Sequence, residues 1–168
     1  ENAGAYPHKS SVKRTQKLIA FLDKQEQEIN QEIKELVQND PEIKKTLKVL
    51  CTIPGIGLLT ASTVLAETNG FDLIRNKRQL VSYAGLDVRE KISGTSVKGK
   101  PRISKKGNRY LRKAMHFPAL AAIRHDERYK AIFARLVART GIKMKGAVAV
   151  QRKLLEMIYV IFKSGKPY

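Results

Sequence analysis

Between Lys98 and Lys113 the chain places eight Lys and Arg residues in sixteen positions, with no Asp or Glu among them. Just ahead of this run stands a Ser93-Gly94 step. Lys98, Lys100, Arg102, Lys105, Lys106, Arg109, Arg112 and Lys113 can follow a phosphate backbone from a loop along the first turns of a helix, giving sequence-independent, salt-sensitive binding. A serine in a glycine-containing loop beside such cations can also be brought to a phosphorus atom. The positive groups would stabilise both its alkoxide and the pentacovalent transition state. Ser-Gly is equally ordinary loop chemistry, and a basic run can be a solvated face.

Other chemistries leave little trace. The histidines His8, His116 and His125 are scattered, and none pairs with another at metal-ligand spacing. The carboxylates after residue 48 are Glu67, Asp72, Asp87, Glu90, Asp126, Glu127 and Glu156, which form no obvious Mg²⁺ cluster, so no metal site is expected in these residues. The lone cysteine, Cys51, lies in "KVLCTIPGIG" and reads as a buried free thiol, which excludes an intrachain disulfide. The formal charge is +18, but residues 1–48 hold nine basic and eight acidic side chains, leaving 24 basic and seven acidic for the rest. That asymmetry points to a polyanion bound by the C-terminal part. No apolar run reaches the roughly 18 residues of a membrane span, and no charged-then-apolar leader opens the sequence, so a cytoplasmic protein without membrane contact is expected.

The elements that must position these groups are helical. From Ser11 to about Asn39 there is no Gly or Pro, and Leu18, Leu22, Gln25, Ile29, Glu32 and Leu36 alternate spacings of four and three, a loose heptad suited to a coiled coil or to a helix lying on the domain. Asp40 can cap the next helix, with Pro41 in its first turn. "LCTIPGIGLLTASTVLAE" (50–67) reads as a helix-hairpin-helix, in which Gly55 and Gly57 leave amide N–H groups bare for a phosphate. Residues 71–86 predict a turn and a short helix ending at Gly85; 86–103 predict a loop or irregular hairpin. Ser104 can cap a helix starting near Lys105 and kinked at Pro118. A further helix stops at Gly141, and a last one runs from about Gly146 to Lys163 with Val148, Leu155, Ile158, Tyr159 and Phe162 on its apolar face. The expected fold is all-α, divided into a coiled-coil-like segment (1–48) and a helical domain (49–168).

The order "IPGIGLLTASTVLAE", "FDLIRNKRQLVSYAGLDV", "SG" and "GKPRISKKGNRYLRKAMHFPALAAIRHD" closely resembles the C-terminal domain of transposases of the insertion-sequence 110 family, which includes Piv-type DNA invertases and RNA-guided bridge recombinases. The resemblance covers roughly residues 47–162, and the segment before it resembles the family's coiled coil. It implies a full protein in which an N-terminal RuvC-like domain, not found in these residues, binds Mg²⁺ through an acidic cluster. The serine of the helical domain attacks DNA. That serine precedes glycine in the loop between "AGL" and "SKxGN", which makes it Ser93, with Ser96 in reserve. The resemblance also implies that Lys105, Asn108 and Arg112 approach the DNA backbone, that a structured guide RNA takes part, and that the protein assembles as a dimer or tetramer.

The expected function is therefore the DNA-binding, serine-bearing domain of a transposase or recombinase. "ENAGAYPHKS" reads as the start of a fragment, which by itself is expected to bind nucleic acid without recombining it. The alternative is a non-catalytic helix-hairpin-helix module of a repair or recombination accessory protein. A ribosome-associated structural protein is a weaker third reading.

Overall fold

The computed structural model describes residues 8–89 and 102–168, together with the strand backbone at 92–93 and 97–98. The chain divides into two compact units, Glu1–Lys44 and Lys45–Tyr168. In the first, α1 runs uninterrupted over Lys9–Asn39, as its Gly- and Pro-free composition requires. None of its residues is buried, and Leu18, Leu22, Ile29 and Leu36 of the heptad seam are all exposed, Leu36 by 70%. Asp40 ends this helix and caps α2 (Pro41–Leu50), its Oδ1 accepting from the N–H groups of Glu42 (2.9 Å) and Ile43 (3.0 Å).

The second unit is a helical domain around α8 (Lys143–Ser164), whose Val150, Leu154, Leu155 and Ile158 are fully enclosed. Against it lie α4 (Lys77–Tyr83), α6 (His116–His125) and α7 (Glu127–Thr140), while α3 (Leu58–Glu67) packs on α5 (Arg109–Ala114). Phe71 anchors one end of the core, its ring 5.6 Å from Tyr159 and 4.7 Å from Phe162. The last helix begins three residues before Gly146. That glycine is a site of close approach, because a Cβ there would lie 2.7 Å from the Phe133 ring. Gly141, at φ +68°, stops α7 as expected.

All-α is the right class among the described residues, with one addition. The segment expected to be a loop or irregular hairpin carries two short antiparallel ladders. Strand β1 (Val88–Arg89) pairs with β4 (Arg102–Ile103), and β2 (Ile92–Ser93) pairs with β3 (Val97–Lys98). Pro118 also behaves differently from a mid-helix kink. The helix breaks at Met115, and α6 restarts at His116, so the proline falls within its first turn, where a missing N–H breaks no helical bond.

Candidate nucleic-acid interface

The hairpin stands on a foot made of two backbone segments, 83–87 and 104–108, in direct contact. Tyr83 O accepts from Asn108 N (2.7 Å), Gly85 O from Lys105 N (3.1 Å), and Asp87 O from Ser104 N (2.8 Å). Such an approach leaves no room for side chains between the segments. Gly85 has φ +65°, and a Cβ on Gly107 would fall 2.3 Å from Tyr83 O and 2.7 Å from Gly85 N. Lys105 turns the chain through a left-handed φ of +53°, which is why the following helix cannot begin there.

Side chains close the same joint. Ser104, expected to cap the helix, instead donates its hydroxyl to the Asp87 carboxylate. The cap is Asn108, four residues later: its Oδ1 accepts from Tyr110 N and Leu111 N, both at 2.9 Å, and its Nδ2 donates to the Glu67 carboxylate. Tyr83 Oη donates to Glu67 O (3.0 Å), tying the end of α3 to the end of α4. Arg112 Nη1 donates to Ala84 O (2.7 Å), satisfying a carbonyl just past the end of α4. Asn108 and Arg112, expected at a DNA backbone, are thus engaged inside the domain. Asp87, Glu67 and Tyr83, which hold the foot, were not singled out from sequence. The available signal was Asp87, an acid just before a basic hairpin.

The remaining cations face outward. Arg102, Lys105, Lys106, Arg109 and Lys113 are exposed, and none forms an ion pair with a described carboxylate. Lys105 and Lys106 lie in the turn before α5 and not on the helix expected to start near Lys105. Ser93 is the β2 residue paired with Val97 across the inner ladder, and Lys98 pairs with Ile92. The side chains of Ser93 and Lys98 lie outside the described residues, as do Ser96 and Lys100 altogether.

The 51–57 turn joins α2 to α3, and its two glycines differ. Gly55, at φ +84°, is pressed onto α6, where a Cβ would lie 2.5 Å from Pro118 O. Gly57 precedes α3 with open space around it, and no side chain caps that helix. Cys51 is half-buried, which pushes its thiol pKa up and disfavours the reactive thiolate. His116 Nδ1 is hydrogen-bonded to Gln151 Nε2 (2.8 Å), a structural pairing across α6 and α8.

The family model described as "Transposase IS116/IS110/IS902 family" matches residues 47–134, just over half of the chain and including the turn, the hairpin and its foot. The chain belongs to this transposase family. Proteins similar to it include the pilin gene-inverting protein of Moraxella bovis, 28% identical over 142 residues that make up 84% of this chain and 44% of the relative. The transposase for insertion sequence element IS1111A of Coxiella burnetii is 31% identical over 123 residues, 70% of this chain and 33% of the relative. An insertion element IS110 protein of Streptomyces coelicolor is 29% identical over 120 residues, 71% of this chain and 29% of the relative. The chain thus spans less than half the length of these relatives. No helix among its described residues is long and apolar enough to cross a membrane.

No group of three His, Cys, Asp or Glu converges as a metal site among the described residues. Four described carboxylates of the helical domain have other partners: Glu67 holds Asn108, Asp87 holds Ser104, Asp126 caps α7, and Glu156 pairs with Arg152 and Lys153. The described residues therefore offer no carboxylate cluster that fits a Mg²⁺ ion.

Proposed function

We propose that this chain is the serine-bearing, DNA-engaging segment of a transposase or recombinase, with Ser93 as the nucleophile of a phosphodiester transesterification. The observation that carries the reading is the asymmetry of the hairpin's foot. Its inner polar groups are paired within the domain, while Arg102, Lys105, Lys106 and Arg109 stay exposed with no described carboxylate to neutralise them. A rigid joint under a cationic rim suits the holding of a phosphate backbone beside a hairpin.

In the proposed step the Ser93 hydroxyl loses its proton to a base and its oxygen bonds to phosphorus. A nucleoside oxygen then leaves and takes up a proton. Strand joining is the reverse attack. Lys98, Lys100 and Arg102 would neutralise the developing phosphorane charge, and Lys105, Lys106 and Arg109 would hold the flanking backbone. Gly57 and the uncapped start of α3 would take a further phosphate, with Gly55 shaping the turn. Mg²⁺ belongs in this proposal to a RuvC-like domain outside these residues, and no step is routed through it. The unburied heptad of α1 suits assembly into a dimer or tetramer through a coiled coil, and a structured guide RNA is a further proposed partner.

The test is denaturing electrophoresis of the complete protein after incubation with Mg²⁺ and its element's DNA and RNA. A DNA-linked protein band is expected that disappears in Ser93→Ala while DNA affinity persists. A band that survives Ser93→Ala would move the nucleophile elsewhere, with Ser96 next in line. DNA binding without any linkage would favour a non-catalytic binding module.

A further inference from the structure

The outer face of α5 and α6 carries exposed apolar side chains that phosphate binding does not use. At about 100° per residue, Arg109, Tyr110, Lys113, Phe117, Leu120 and Arg124 fall within one arc of the helix surface, because the backbone at the Met115 break stays right-handed (φ −80°, ψ −5°). All six are exposed, Tyr110 by 57%, Phe117 by 76% and Leu120 by 43%. Single exposed apolar side chains are common on protein surfaces and need no account. Here three share one stripe with three cations, inside a stretch, 91–125, that contains no Asp or Glu.

The charge selects the kind of partner. A second copy of this domain would present its own excess of positive charge to the stripe and be repelled. A polyanion fits, but a duplex offers mainly phosphates and sugars on its surface, and a phenylalanine ring gains nothing from these. An exposed ring among cations matches the combination that binds single strands, in which bases stack on aromatic faces while the cations follow the backbone. One face of Tyr110 already lies under the Arg109 guanidinium, 5.0 Å from the ring centroid. Phe117 meets His116 edge-on, 5.6 Å between centroids at 65°, a contact that leaves ring surface free.

We infer that the Tyr110–Phe117 stripe is a stacking platform for unpaired DNA bases, beside the hairpin that would act on the backbone. DNA is the strand chosen because proteins similar to this chain are named as a gene-inverting protein and as a transposase for an insertion sequence element. The inference rests on the nucleic-acid reading above but can fail separately from it.

The chain has no tryptophan, so Phe117→Trp places a single reporter at the platform. Titration with oligothymidylate is expected to quench its fluorescence, and a blunt duplex bound to the same saturation is expected not to. Phe117→Ala and Phe117→Leu should each weaken oligothymidylate binding by about tenfold, with duplex binding unchanged. The leucine variant keeps apolar surface without a ring face, so retained affinity in Phe117→Leu would overturn stacking. Quenching by duplex would mean an intercalating wedge, and tighter binding of oligouridylate at this position would mean RNA; either overturns the assignment. Intact duplex binding with no response at position 117 would sink this inference alone. Absence of any nucleic-acid binding by the unaltered chain would sink the proposed function as well.

Discussion

The two sides of the 102–113 segment are built from the same residue types and do opposite things. On the inner side, Ser104, Asn108 and Arg112 are held by Asp87, Glu67 and the Ala84 carbonyl, and Gly107 lies against the backbone of Tyr83 and Gly85. On the outer side, Arg102, Lys105, Lys106, Arg109 and Lys113 have no described carboxylate in reach. A basic run is therefore two populations: one builds the joint that aims the hairpin, the other is available to a ligand. Arg112 and Arg109 sit three positions apart on one helix, yet substituting them should have effects of different kinds.

The largest effect should come from the joint itself. Gly107→Ala puts a Cβ into the Tyr83 carbonyl oxygen, a rigid backbone atom that cannot swing aside. A loss of about 3 kcal/mol is expected, read as a fall in the melting temperature of the helical domain by circular dichroism. An unchanged melt would mean that the two segments can separate without cost, and the distinction between the inner and outer sides would lose its basis.

Next comes a direct contrast. Asn108→Ala removes the cap of α5 and leaves the Glu67 carboxylate without its amide partner, for about 2 kcal/mol of stability. Arg109→Ala should leave the melt alone and weaken DNA binding almost equally for all sequences. It should lower the slope of log affinity against log salt by about one. If Asn108→Ala instead cost affinity at full stability, the residue would belong to the outer population after all.

This contrast also marks where the sequence was legible. Composition and spacing revealed the helices, the caps at Asp40 and Gly141, the hairpin region and the excess of positive charge, because each depends on neighbours within a few residues. The sequence predicts a helix start near Lys105, because a serine is a good N-cap residue. The observed start at Arg109 follows from contacts across some twenty residues, Tyr83 to Asn108 and Gly85 to Lys105, which no local pattern reveals. Gly55 shows the same limitation. A glycine turn before a helix rich in small residues suggests phosphate, and only the position of Pro118 shows that this glycine packs on α6. The roles of Asn108 and Arg112 could not be read from charge or capacity for hydrogen bonding, since the same groups suit a phosphate and a carbonyl equally.

The smallest expected effect tests whether ion pairing away from the hairpin matters at all. Partial burial pushes the Glu156 carboxyl pKa up, but hydrogen bonds from Lys153 and Arg152, and their charges, outweigh burial and hold it below the ordinary value. A carboxyl depressed in the folded state stabilises the fold above its unfolded pKa of about 4.3 and loses that contribution as pH falls through the folded value. Solvent at Arg152 and Lys153 screens the pairs, so Glu156→Gln should cost only about 0.5 kcal/mol at neutral pH. The parent and the variant should converge in urea melts as the solution is acidified. A difference that persists in acid would mean that Glu156 contributes through packing along α8 rather than charge. The outward cations of the hairpin would then be the part of this surface where electrostatics governs behaviour.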